Sequence, residues 1–157
     1  MLQKIEKNKE DLVDLILNPH VHAIEDTLKE IYSDCSIDRK NQLIDELTLI
    51  FTKDDILYNA KIQAKFPDLI NLLKEQDLYN NTCVLLSDIV RHKPVIQDIF
   101  YLLKIFDYIN FDNYNPTISL IFSMCYGNKK LTDFYFEKIY QEDRDGNNDL
   151  IKILADN

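Results

Sequence analysis

The sequence predicts an all-α fold built from stacked helical repeats, and three observations support this prediction. The chain has 157 residues but only 2 glycines and 4 prolines, which favours helices joined by short polar turns over an all-β fold. Apolar residues recur at three- and four-residue steps along most of the chain, as expected for amphipathic helices. Residues 79–90 and 114–125, which are 35 residues apart, share Tyr, Asn, Thr and Leu at the same offsets.

The spacing of these similar segments indicates the kind of repeat. A period of 20–50 residues is typical of helical-repeat proteins, and armadillo and HEAT repeats are roughly 40 residues long. A short, a medium and a long helix are predicted in the same order twice, over residues 56–64, 66–76 and 78–92 and then over residues 94–100, 101–111 and 115–126. An armadillo repeat has this three-helix plan. We therefore predict a right-handed armadillo-like solenoid of about three and a half repeats.

The predicted solenoid forms a single domain over residues 1–157. It consists of N-terminal capping helices (1–36), central repeats (37–126) and an incomplete C-terminal repeat (127–157).

Single residues predict where the helices begin and end. Asn18–Pro19 is expected to end the first helix, because the residue before a proline avoids the α conformation. Asp38 is expected to cap the next helix, Pro67 to lie in the first turn of another, and Gly127 to end a later one in the left-handed conformation.

Composition weighs against several classes of function. The net charge of −9 and the isoelectric point near 4.7 disfavour binding to nucleic acids or to anionic membranes. The 3 cysteines are widely spaced and include no CxxC pair, so we expect reduced thiols in a cytoplasmic protein. There is no apolar run long enough for a transmembrane helix and no apolar leader at the N-terminus.

Possible catalytic and metal-binding motifs are incomplete. His20 and His22 lack the further ligands that a metal site needs, and the calcium-loop-like stretch 141–150 lacks the first carboxylate and the last glutamate of an EF-hand. The sequence therefore predicts no metal, no cofactor and no catalytic residue. The alternative is a small helical hydrolase or transferase whose active site uses His20 or His92 with nearby carboxylates.

The richest candidate for binding is the pair of long helices in the similar segments. If these helices correspond to the third helix of an armadillo repeat, Leu86, Ile89, Ile121 and Met124 point into the core. The predicted partner-binding residues, which face the concave groove, are Val84, Asp88, Arg91, Ser119, Ser123 and Tyr126. A separate aromatic cluster is expected to form core between repeats; in the alternative, some of its tyrosines stay partly exposed and anchor a partner. The cluster comprises Phe100, Tyr101, Phe106, Tyr108, Phe111 and Tyr114.

One segment resembles a known family. The leucine-rich helix that ends in Ile89-Val-Arg-His-Lys-Pro94 is similar to a helix of the calcium-binding protein 39 family, whose members are helical-repeat scaffolds that hold Ste20-type kinases and pseudokinases in an active form. Weaker similarities are found in residues 38–44, 106–108 and 131–134. Family members are about twice as long, and their pocket for a partner's C-terminal tail lies in the half that has no counterpart here.

The resemblance implies a non-enzymatic adaptor that contacts a kinase or pseudokinase through the concave face of its N-terminal repeats, with a role in signalling. The remaining alternative is a structural subunit of a larger assembly. In either case we expect a monomer, or a weak homodimer formed through the apolar end at Leu150–Leu154.

Overall fold

Helices account for all the regular structure in the part of the chain that the structure describes. The structure is a computed structural model, and it describes residues 2–53 and 56–139. The predicted all-α class is confirmed for these residues. None of the helices in this part of the chain has the length and apolar character needed to cross a bilayer.

The chain divides into two compact units between Lys65 and Phe66, and each unit is described by itself. The division does not follow the predicted segments 1–36, 37–126 and 127–157, since it falls inside the second of them. The prediction of one domain with those segments stays a prediction.

The first unit is built on two long helices, α1 (Leu2–Ile31) and α2 (Ile37–Lys53), which pack against each other. The buried face of α1 carries Val21, Ile24, Leu28 and Ile31, and that of α2 carries Leu43, Ile44, Leu47 and Phe51. A short helix, α3 (Ala60–Gln63), follows, and the side chain of Asn59 caps it by accepting a 2.9 Å hydrogen bond from the Lys61 amide.

The prediction that Asn18–Pro19 ends the first helix is wrong, because Pro19 lies inside α1. A proline in a helix interior costs about 3 kcal/mol, since it has no N–H to donate and its ring crowds the preceding turn. The four buried aliphatic side chains just named on α1 follow Pro19. Each of them contributes about 1.5–3 kcal/mol on burial, and together they exceed the cost of the proline.

The start of α2 also differs from the prediction, because its cap is Ser36 and not Asp38. The Ser36 hydroxyl accepts a 3.2 Å hydrogen bond from the Arg39 amide, while Asp38 lies in the first turn of the helix. The Arg39 guanidinium donates two hydrogen bonds to the Glu30 carboxylate, at 2.8 and 3.2 Å. This hydrogen bonding lowers the pKa of Glu30, and it joins the end of α1 to the start of α2.

The second unit contains the two similar segments as helices of equal length. Its elements, in chain order, are α4 (Phe66–Asn71), 3-10 turns at Leu72–Lys74 and Gln76–Leu78, α5 (Tyr79–Val90), α6 (Pro94–Leu102), a 3-10 turn at Ile105–Tyr108, α7 (Tyr114–Cys125), α8 (Lys129–Phe134) and a turn of π-helix at Tyr135–Ile139. Helices α5 and α7 pack against each other. Pro67 lies in the first turn of α4, as predicted.

The predicted helix over residues 101–111 is wrong. Helix α6 continues to Leu102, and the chain then turns at Lys104, whose φ of 61° places it in the left-handed region. The Lys104 amide donates a 2.9 Å hydrogen bond to the Tyr101 carbonyl and closes the turn. A left-handed residue cannot continue an α-helix, so only the short 3-10 turn follows.

Helices α5 and α7 end in the same type II turn. The first central residues, Arg91 and Tyr126, have φ/ψ of −56°/126° and −59°/121°. The second, His92 and Gly127, have φ of 57° and 70°. The left-handed conformation predicted for Gly127 is therefore confirmed, and it recurs 35 residues earlier at a histidine, where a side chain makes it costly.

A closed cycle of three hydrogen bonds connects the start of α5 to the start of α7. The Thr117 hydroxyl donates to the Asn110 carbonyl at 2.5 Å, and the Asn110 amide donates to the Tyr79 hydroxyl oxygen at 2.8 Å. Because the Thr117 proton is already used, the remaining 2.7 Å contact is donated by Tyr79 to Thr117. Each group in the cycle both donates and accepts, so the bonds reinforce one another.

The core of the second unit lies beneath α5 and α7. Leu86, Ile89, Ile121 and Met124 are all buried, which confirms the inward positions predicted for them. Phe66 and Phe100 stack at a centroid distance of 4.8 Å and an interplanar angle of 30°, and both are fully buried. The stacked pair therefore joins α4 to α6 inside the core.

Two of the three cysteines belong to this core. Burial raises the pKa of both Cys83 and Cys125 to about 12. Both thiols therefore stay neutral near pH 7, which removes the thiolate that nucleophilic catalysis requires. Cys35, in the first unit, is only partly buried.

The buried thiols predict a loss of stability in alkaline solution. A thiol with an ordinary pKa of 9.0 in the unfolded chain and a raised pKa in the folded chain stabilises the fold fully below pH 9.0. That contribution is lost as the pH rises to about 12. We expect the free energy of unfolding, measured by urea titration, to fall less steeply with pH over this range in the double variant Cys83→Ala/Cys125→Ala than in the wild-type protein. Val95→Ala, which removes an exposed side chain that does not titrate, is the control and should keep the wild-type slope. Equal slopes in the wild type and both variants would contradict the argument.

Candidate partner-binding surface

Five of the six predicted partner-binding residues reach the surface of the second unit. Val84 is 56% exposed, Arg91 and Ser119 are exposed, and Asp88 and Tyr126 are half-buried. Ser123 is only 1% exposed, so its predicted position in a groove is wrong. The reason is local: α6 lies against α7 at this point, where Gln97 donates a hydrogen bond to the Ser123 carbonyl.

The charged part of this surface lies at the end of α5. The Arg91 guanidinium is 3.7 Å from the Asp88 carboxylate, one helical turn away. The Lys93 ammonium approaches the carbonyls of Asp88 and Arg91 at 3.4 Å each. Positive side chains near these carbonyls are favoured by the helix dipole, whereas the exposed ion pair itself adds little stability. Arg91 is therefore available to a partner at low cost.

The aromatic part lies at the end of α7 and includes two residues that the predicted partner-binding set left out. Phe122 lies 5.3 Å from Tyr126, and the His92 ring meets the Tyr126 ring edge-on at 4.7 Å. The 35-residue offset could have pointed to His92, because it aligns this residue with Gly127. Phe122 carries no such signal. We call the exposed and half-buried set the α5–α7 surface: Val84, Asp88, Arg91, His92, Ser119, Phe122 and Tyr126.

His92 is held in its position at a cost in backbone strain. A non-glycine residue in a sparsely populated backbone region costs on the order of 1–3 kcal/mol, and such residues cluster at functional sites. The strained backbone of His92 brings its exposed imidazole against Tyr126. The strain thus places a ring and a polar group at the edge of the α5–α7 surface.

Gln97 stabilises the backbone of the α5–α7 surface through hydrogen bonds. It is fully buried on α6, and its amide nitrogen donates hydrogen bonds of 3.0 Å to the carbonyls of both Ser123 and Tyr126. These carbonyls belong to the last turn of α7 and to the type II turn that follows it. The backbone of Tyr126 is therefore fixed, so a partner that binds this residue does not have to order it first.

The other predicted sites lie outside this surface. Among residues 2–53 and 56–139, no group of three or more His, Cys, Asp and Glu side chains is arranged to hold a metal ion. His22 lies 3.8 Å from Glu25 on the exposed side of α1. The stretch 141–150 and the apolar end at Leu150–Leu154 lie outside the described residues.

Comparisons of the chain with protein-family models, with curated proteins and with solved structures give no match.

Proposed function

We propose that this protein is a non-enzymatic scaffold that binds a protein partner through the α5–α7 surface. The observation that carries the proposal is a combination: an arginine and two half-buried aromatic rings lie beside a strained histidine, on a backbone held by Gln97. Aromatic residues and arginine are enriched where protein interfaces bind most tightly. Pre-organisation of the backbone adds affinity.

The same proposal includes the armadillo-like solenoid. Its support is that α5 and α7 have equal lengths, begin at equivalent tyrosines and end in equivalent type II turns. Repeats that stack in this way create a long concave surface, which helical-repeat proteins use to bind extended partners.

The partner proposed first is a Ste20-type kinase or pseudokinase, with the complex acting in cytoplasmic signalling. The support is the resemblance around Ile89–Pro94 to the calcium-binding protein 39 family. This segment contains the end of α5 and the turn with His92, and so it forms one edge of the α5–α7 surface.

The test is direct binding of purified Ste20-type kinase and pseudokinase domains to the immobilised full chain. We expect the double variant Arg91→Glu/Tyr126→Ala to bind at least about 30-fold more weakly than wild type, because truncating a hot spot costs about 2 kcal/mol or more. The matched control is Lys74→Glu/Tyr108→Ala, which makes the same charge reversal and the same truncation elsewhere in the second unit, where Lys74 lies over the Tyr108 ring at 5.2 Å.

The outcomes separate the parts of the proposal. Loss of binding in the first double variant alone supports both the partner and the surface. Equal loss, or no loss, in the two double variants overturns the surface. If no kinase or pseudokinase domain binds the wild-type chain, the proposed partner class is overturned.

A further inference from the structure

A second candidate site lies at the C-terminal end of α6. It is an open pocket of about 310 Å³ formed by the end of α6, the turn at Lys104, the following 3-10 turn and α8. We call it the aromatic pocket, and its lining residues are Tyr101, Leu102, Lys104, Phe106, Asp107 and Phe134. None of these residues belongs to the α5–α7 surface.

Three aromatic rings form the wall of the pocket. The Tyr101 ring meets the Phe134 ring edge-on at 5.0 Å, and the Phe106 ring stacks on Phe134 at 5.7 Å. All three side chains are only partly buried, although large aromatic side chains gain most when fully covered. The pocket volume is at the lower end of the range for small ligands, which suits a single long side chain.

The rings already attract a cation from the chain itself. The Lys130 ammonium lies over the Tyr101 ring, 5.5 Å from its centroid, and it also pairs with Asp98 at 3.3 Å. Ring faces attract cations because the π system is negative above and below the plane. Tyr101 therefore shows that a ring of this wall can hold a cation, here one from Lys130, which does not itself line the pocket.

A carboxylate at the rim adds to this preference. Asp107 is exposed and lines the pocket, and its short side chain keeps the negative charge near the rings. Lys104 lines the same pocket with a positive charge, but its long, exposed side chain can turn toward water. The net charge of −9 on the whole chain also attracts positively charged partners.

From these features we infer that the aromatic pocket binds a lysine or arginine side chain of a basic peptide segment in a protein partner. The aliphatic part of that side chain packs on the rings of Phe106 and Phe134, and its charged end reaches the Asp107 carboxylate. The backbone around the rim is already arranged for this, because the Asp107 amide donates a 3.0 Å hydrogen bond to the Lys104 carbonyl at the left-handed turn.

The test titrates the full-length chain with the peptide acetyl-Gly-Arg-Gly-amide while the ring resonances of Phe106 and Phe134 are followed by NMR. Two matched peptides replace the arginine with citrulline, which is its neutral isostere, or with glutamate. We expect the arginine peptide to shift both sets of ring resonances saturably and to bind at least about five-fold more tightly than the citrulline peptide.

Two protein variants with opposite expected effects complete the test. Asp107→Asn should weaken binding of the arginine peptide about five-fold, whereas Lys104→Gln should strengthen it, because one variant removes attraction and the other removes repulsion. Both positions are exposed, so the two variants should keep the wild-type thermal stability within a few degrees.

Three results would overturn the inference. These are equal binding of the arginine and citrulline peptides, tighter binding of the glutamate peptide with loss in Lys104→Gln, and the absence of any saturable shift. The test shares no residue with the kinase-binding experiment, so either proposal can fail without the other.

Discussion

Replacing Phe100 with alanine is expected to lower the free energy of unfolding by about 3–5 kcal/mol, which is the usual cost of truncating a buried aromatic side chain. Phe100 has no exposed surface, and its ring stacks on Phe66 at 4.8 Å. We expect alanine to leave a cavity between α4 and α6. Urea denaturation followed by circular dichroism measures the change.

Val95→Ala is the matched control for this variant, because Val95 lies on the same helix and is 57% exposed. It should change the free energy of unfolding by less than about 0.5 kcal/mol. Similar losses in the two variants would mean that α6 does not bury the face described here.

Replacing Tyr79 with phenylalanine is expected to cost about 1–3 kcal/mol, because it opens the three-membered hydrogen-bond cycle. The ring stays in place, but the Asn110 amide loses its acceptor and the Thr117 oxygen loses its donor. Tyr108→Phe in the same unit is the control. No hydrogen bond of the Tyr108 hydroxyl is seen within the described residues, so its loss should be close to zero.

A double-mutant cycle then tests whether the bonds act together. If the cycle is a unit, Tyr79→Phe and Thr117→Val in combination cost clearly less than the sum of the two single variants. If the losses in free energy of unfolding are strictly additive, the tyrosine and the threonine stabilise the fold independently. The closed arrangement of the three hydrogen bonds would then add no stability of its own.

The elements predicted most accurately from the sequence are those with a short-range residue pattern that occurs twice in the chain. The periodicity of α5 and α7 placed both helices within two residues of their ends. Tyrosine, threonine and an apolar stripe recur in both segments. Each of these signals depends only on residues within one or two helical turns.

The predictions failed where a distant contact outweighed a local rule. Pro19 stays helical because side chains further along α1 pack on α2. The turn at Lys104 could not be foreseen, because lysine carries no preference for the left-handed region. Without that turn, the run of aromatic residues from Tyr101 to Phe111 looks like a helix.

The α5–α7 surface was predicted only in part, because its prediction also relied on a local pattern. Transferring the orientation of an armadillo helix to α5 and α7 treats the two helices as identical, and this placed five residues at the surface. It failed at Ser123, which is buried where α6 lies against α7 and Gln97 donates a hydrogen bond to the Ser123 carbonyl. The position of His92 depends on its left-handed backbone conformation, and a helical pattern in the sequence does not predict this conformation.

The matching type II turns after α5 and α7 also bear on how such a chain can grow. The backbone leaves Val90 and Cys125 in the same conformation and enters the next helix after the same number of residues. A tandem duplication of the DNA that encodes one such stretch therefore joins ends that already fit each other. The unit can multiply with its turns intact, and a copy can replace the glycine at the left-handed position with another residue at a cost in strain, as His92 does here.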